Sequence, residues 1–123
     1  MAEERHATTA ESVLEHHLTA FGDGDLDELL DDYTDESVVI TADRTYDTLD
    51  EIGTDFFAPR FADLARPEAD FVLDEQHVVG DTAFITWHAE TPDNTYAFAT
   101  DTFVVRDGTI VTQTFAGVVT PKA

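Results

Sequence analysis

Two side chains interrupt apolar patterns at places where chemistry could follow. His17 stands on a helical stripe with Ala10, Val13, Leu14 and Phe21, and Asp101 stands in the middle of the apolar strand pattern Tyr96 to Arg106. A carboxylate among apolar neighbours must find a partner or take up a proton, and an imidazole titrates near neutral pH. An inward Asp101 holding the His17 imidazole would suit acid–base work on a small molecule. Each also has a plainer reading. His17 can be a core histidine satisfied by one hydrogen bond, and Asp101 a structural acid bonded to a Tyr or His. His88 is a third candidate, with solvent or a subunit interface as its alternative. Tyr33 and Tyr46 could offer hydroxyls to a ligand, while Phe57 and Phe115 belong to a set of phenylalanines that are core first and cavity lining second.

The remaining composition narrows the chemistry. Cysteine is absent, which removes disulfides, thiolate catalysis and cysteine-bound metal. No His and carboxylate cluster has metal-site spacing, no cofactor is implied, and phosphate loops and nucleophile elbows are missing. With 27 acidic residues against six basic ones the formal net charge is −21, so nucleic acid is an improbable ligand. Apolar residues still make up 42% of the chain, which argues for a folded core under an acidic coat rather than disorder. At molar salt the Debye length falls to about 3 Å and such a coat is screened, so the composition fits an organism with a salty cytoplasm. There is no membrane-length apolar run and no signal-peptide pattern at Met1 to His6, so a cytoplasmic location is expected.

The 123 residues suit one domain, with residues 1–8 expected to form a flexible N-terminal tail. Residues 9–21 read as a helix ended by Gly22 and Gly24. Asp25 caps a short second helix, with Leu26, Leu29, Leu30 and Tyr33 inward. Ser37 to Thr41 reads as a strand. Thr48 to Glu51 has the capping-box pattern and opens a third helix, which Pro59 should kink or end, although Phe61 and Leu64 suggest a further turn. Beyond Asp70 the period changes to that of strands: Phe71 to Val79, Thr82 to Glu90, Tyr96 to Arg106 and Thr109 to Val119. Helices first and an antiparallel meander afterwards define an α+β domain.

Hairpin register decides which strand residues face inward. A two-residue Asp93-Asn94 turn would set His88 opposite Ala99 and Thr86 opposite Asp101. Phe84, Thr86, His88, Ala99, Asp101 and Phe103 would then share a face, with Trp87, Phe98 and Val104 outside. A one-residue slip would exchange Trp87 and His88. At the next hairpin, a three-residue Arg106-Asp107-Gly108 loop would set Asp101 opposite Gln113, whereas a two-residue Asp107-Gly108 turn would place Thr114 there.

Ala20-Phe21-Gly22-Asp23-Gly24-Asp25-Leu26-Asp27, running to Tyr33, and Asp101-Thr102-Phe103-Val104-Val105-Arg106-Asp107-Gly108-Thr109-Ile110 together carry a resemblance to the nuclear transport factor 2-like superfamily. The similarity is greatest to its SnoaL-like and ketosteroid isomerase-like members and covers nearly the whole chain. It implies a cone-shaped domain in which three N-terminal helices pack on a strongly curved antiparallel β-sheet and enclose a pocket. It also favours the register that pairs Asp101 with Gln113, making Gln113 and Phe115 lining residues. By the same resemblance Asp101 falls at the protonated carboxylic acid of the isomerase oxyanion hole, and His17 replaces the family's tyrosine donor. Thr41 takes the place of its catalytic aspartate, with Asp43 two residues on.

Two function classes follow. In one, a SnoaL-like isomerase, cyclase or dehydratase acts on an apolar carbonyl or enol compound, with His17 and Asp101 as catalytic residues and Gln113, His88, Tyr33, Phe57 and Phe115 binding substrate. In the other, a non-catalytic module binds a small apolar molecule. Either way a homodimer through the outer sheet face is expected, with no nucleic acid or membrane partner.

Overall fold

The computed structural model describes residues 9–122, so the expectation for residues 1–8 lies outside the described residues. Helix α1 (Ala10–Gly22) begins at Thr9, whose hydroxyl accepts from the Ser12 N–H, and helix α2 (Leu26–Leu30) begins at Asp25, whose carboxylate accepts from the Glu28 N–H. Such caps satisfy donors that a helix start leaves orphaned. His16 fastens the two helices together, with Nδ1 2.8 Å from an Asp32 carboxylate oxygen and Nε2 2.6 Å from Glu28. The third helical segment starts as α3 (Leu49–Glu51), capped by Thr48, widens into a π-helical turn (Ile52–Phe57) and resumes as α4 (Ala58–Leu64).

Pro59 therefore neither ends nor breaks the segment. The chain widens by one residue just ahead of it, with the Ala58 N–H reaching back five residues to the Gly53 carbonyl. A proline has no N–H to give to an α-helical ladder, and the wide turn absorbs that mismatch. Gly53 also lets the turn sit close on α2, because a Cβ there would stand 2.8 Å from Leu30 Cδ1.

Six strands form one sheet: β1 (Val38–Thr41), β2 (Thr45–Tyr46), β3 (Asp70–Val79), β4 (Thr82–Glu90), β5 (Asn94–Arg106) and β6 (Thr109–Pro121). Their spatial order is β2-β1-β6-β5-β4-β3. The long strands are antiparallel as expected, but β1 runs parallel to β6, with Val39 beside Gln113, so the sheet is mixed. Register shifts at Leu73/Glu75, Trp87/Ala89, Tyr96/Phe98 and Val104/Val105 bend it around the helices. Leu14, Leu29, Ile52, Phe56, Phe103 and Ile110 fill the space between, each buried to within 1%. Full burial of side chains of this size stabilises by about 1.5–3 kcal/mol apiece.

The register corrects the face assignment on β4. Glu90 lies opposite Thr95, and after the bulge Trp87 lies opposite Ala99 and Ile85 opposite Asp101. The Thr91 N–H donates to the Asn94 carbonyl at 2.9 Å and the Thr91 hydroxyl accepts from the N–H groups of Asp93 (3.1 Å) and Asn94 (2.8 Å), so the turn residues are Pro92 and Asp93, one position before the expected pair. Trp87 consequently points inward and His88 outward. At the next hairpin Asp107 and Gly108 form a two-residue turn with φ of 53° and 80°, not the three-residue loop expected. The Val104/Val105 bulge then shifts the pairing by one more residue, so Asp101 lies opposite Phe115 and Phe103 opposite Gln113. The two changes offset in parity, and Gln113 and Phe115 still share the face of Asp101.

Candidate functional site

A cavity of about 690 Å³ opens between α1, the third helical segment and the concave sheet face. Its walls are mostly apolar, from Leu18, Phe21, Phe57, Phe71, Leu73, Ile85, Phe103 and Phe115, and six polar side chains lie among them: His17, Asp23, Arg60, Arg66, Asp101 and Gln113. A largely apolar cavity with a few convergent polar groups is the usual form of a small-molecule site.

Asp101 is buried and accepts at both carboxylate oxygens. The Trp87 indole Nε1–H donates to Oδ2 at 2.8 Å, and the Gln113 amide Nε2–H donates to Oδ1 at 3.0 Å. The Gln113 carbonyl oxygen in turn accepts from the Tyr33 hydroxyl, and the Tyr33 oxygen lies 3.4 Å from His17 Nδ1. The network fixes its own polarity. Tryptophan can only donate, and the single Tyr33 proton is committed to Gln113, so the longer His17 contact is made by Nδ1–H donating to the Tyr33 oxygen. His17 Nε2 is left as an acceptor with no protein partner among the described residues.

Burial dominates the titration of both ends. It pushes Asp101 up to about 6, opposed by the Trp87 and Gln113 hydrogen bonds and by the Arg60 cation, all of which favour the charged form. It pushes His17 down to about 3, with the neighbouring His16 adding to the shift, so the imidazole is neutral at physiological pH. Tyr33 is driven well above its ordinary value, chiefly by burial, and stays a phenol.

The expected direct pair of His17 and Asp101 does not form. Both side chains line one cavity, but Tyr33 and Gln113 stand between them in the hydrogen-bonded chain. Phe103 and Phe57 pack against the His17 ring at centroid distances of 5.0 and 5.7 Å, and the Tyr33 hydroxyl oxygen takes the Nδ1 side. Gln113, Phe57 and Phe115 line the cavity as expected. Tyr33 lies behind the wall rather than on it. His88 lies on the outer face, exposed, with Nδ1 2.8 Å from Asp74, because the β4 register turns it away. Asp43 sits exposed in the turn after β1, where the Thr41 hydroxyl accepts from its N–H at 3.3 Å, and neither residue lines the cavity.

Arg60 is one of the lining residues that sequence reasoning passed over, with Arg66. Phe56, Arg60 and Leu64 fall at successive fourth positions, a spacing that sets Arg60 into the apolar stripe and could have revealed it. Its guanidinium stacks over the rings of Phe56 (4.0 Å) and Phe115 (5.0 Å), and Nη1 donates to the Phe56 carbonyl at 2.8 Å. Among the described residues no group of three His, Asp or Glu side chains is arranged to hold a metal ion, and no helix is long and apolar enough to cross a membrane.

The helices packed on a curved mixed sheet around this cavity form an α+β domain of the nuclear transport factor 2-like fold. Within it the chain belongs to the SnoaL-like domain family, which it matches over residues 14–113. Solved structures agree on the fold. A nuclear transport factor 2-like protein of unknown function from Mesorhizobium loti is 19% identical with a TM-score of 0.74, covering 89% of this chain and 90% of its own. A candidate polyketide cyclase from Sinorhizobium meliloti is 19% identical (TM-score 0.68, covering 84% and 92%). A candidate ketosteroid isomerase from Kribbella flavida is 8% identical (TM-score 0.69, covering 93% and 81%). No curated protein matches the sequence.

Proposed function

We propose that the protein is a small-molecule enzyme that moves a proton next to the carbonyl or enol oxygen of an apolar compound, with Asp101 as the base. The observation that carries this reading is the buried Asp101 carboxylate on the cavity wall, held at both oxygens by donors and titrating at about 6. A general base works best when its pKa lies near the working pH. Because both Asp101 oxygens accept, the geometry favours a proton acceptor over the protonated oxyanion-hole donor that the family resemblance implied. His17 Nε2 and the Arg60 guanidinium supply an acceptor and a cation on the same cavity. Neighbours described as a polyketide cyclase and a ketosteroid isomerase are compatible with such chemistry.

The test is hydrogen exchange at the α-carbon of a panel of apolar ketones in heavy water, followed by nuclear magnetic resonance. Wild type is expected to accelerate exchange for at least one compound, and Asp101→Asn to reduce that by about 10²-fold or more. A panel that binds without exchanging would overturn the reaction.

A non-catalytic dimeric module is the second reading, favoured by the apolar side chains on the convex face. Phe98 (52% exposed) and Val118 (58% exposed) lie directly opposite one another on β5 and β6. The dimer surface expected around Trp87, Phe98 and Val104 loses Trp87 to the cavity and is recentred on this pair. Light scattering in high salt tests it, with a strictly monomeric species as the refuting result. We further infer a high-salt setting from the net charge of −21, supported by exposed acids such as Asp23, Asp25, Asp27, Glu28, Asp35 and Glu36.

A further inference from the structure

We propose that the ligand of this cavity carries an anionic group, a carboxylate or an acidic enol, and that Arg60 binds it. The proposal rests on the reading of the cavity as a ligand site and adds the charge of what enters it. Six basic residues serve 27 acids in this chain, so a cation withdrawn from water without an ion pair is an anomaly. Arg44 is bridged to Asp55 at 2.9 Å, Arg66 to Asp93 at 3.3 Å and Lys122 to Glu90 at 3.0 Å. Among the described residues Arg60 and Arg106 have no carboxylate within ion-pair distance; Arg106 is exposed to water, whereas Arg60 is half-buried in the cavity wall.

Burying a charge without a partner is costly, and here burial lowers the Arg60 pKa from its ordinary value. Of the five N–H donors that a guanidinium offers, the protein engages Nη1 alone, through the Phe56 carbonyl. The Phe56 and Phe115 rings hold the plane of the group in place. A fixed, half-buried guanidinium with free donors matches the planar oxygens of a carboxylate or enolate. Asp101, across the same cavity, would repel an anion placed beside it, so the charged end of the ligand belongs at Arg60 and the carbon acid at Asp101.

Two fluorescent probes isolate the charge. 1-Anilinonaphthalene-8-sulfonate and N-phenyl-1-naphthylamine share one ring system and differ by the sulfonate. Titrations are run at neutral pH in about 1 M potassium chloride, where the acidic surface is screened, with folding checked by circular dichroism. Wild type should prefer the sulfonate, and Arg60→Gln should weaken sulfonate binding at least about tenfold while leaving the neutral probe unchanged. Arg60→Lys should retain part of the preference, and Asp101→Asn should strengthen sulfonate binding. A wild type that binds the neutral probe without preferring the sulfonate overturns the anion site and leaves the proton-transfer reading standing. Equal loss of both probes in folded Arg60→Gln also overturns it, as does a wild type that binds neither, which refutes the ligand site as well. An Arg60-dependent sulfonate preference without ketone exchange upholds the anion site and refutes the reaction.

Discussion

Trp87 and Asp101 belong to neighbouring strands but are not directly opposed: Trp87 faces Ala99 and Asp101 faces Ile85, and the indole reaches diagonally to give the 2.8 Å bond. The inward turn of Trp87 thus supplies one of the two donors that restrain the Asp101 carboxylate from rising further. Trp87→Phe keeps a ring in the wall and removes the N–H. The Asp101 midpoint should move above about 6, seen as an upward displacement of the pH profile of binding or exchange. An unmoved midpoint in a folded variant would count against this control.

Tyr33→Phe tests the middle of the chain. It strands the Gln113 carbonyl oxygen and the His17 Nδ1–H together in a dry environment. An unmet buried group costs about 1–3 kcal/mol, so denaturant unfolding should show a loss of that order. A loss below about 0.5 kcal/mol would mean that another donor takes the place of the hydroxyl.

His17 and Asp101 pull stability in opposite directions with pH. The folded His17 pKa of about 3 lies below its unfolded value of 6.5, so as pH falls below 6.5 the unfolded chain takes up the proton first and stability is lost. Asp101, raised from 3.8 to about 6, contributes stability below 3.8 that is lost as pH rises through 6. His17→Phe should therefore raise stability at pH 4.5 relative to pH 6.5 by up to about 3 kcal/mol compared with wild type, and Asp101→Asn should remove the loss that accompanies rising pH between 4 and 6, leaving a steeper acid limb. Urea unfolding at several pH values reads both, and parallel curves for wild type and His17→Phe would refute the buried neutral imidazole.

Salt provides an independent check on the charge of −21. Thermal stability followed by circular dichroism should rise markedly from low salt to molar potassium chloride as the repulsion is screened. A constant melting temperature over that range would refute the halophilic reading.

The sequence carries the strand limits of β3 to within one residue and those of β4, and the helix caps at Asp25 and Thr48, because periodicity and capping are local properties, whereas Asp101 and Gln113 keep one inner face only because two register differences cancel in parity. What it conceals depends on count and distance. The β4 register turns on one bulge and on the Thr91 hydroxyl, so His88 and Trp87 exchange sides although every strand is recognisable. Parallel pairing of β1 with β6 joins residues more than 70 positions apart, with Val39 next to Gln113, and leaves no local trace. The Tyr33 bridge between His17 and Gln113 is similarly a product of packing.

The wide turn at Ile52–Phe57 makes the cavity's charge a matter of arithmetic. An α-helix advances by about 100° per residue, so deleting one residue to restore regular winding would rotate all that follows by that angle. Arg60 would swing out of the wall with its identity unchanged, and Pro59 would again stand unaccommodated.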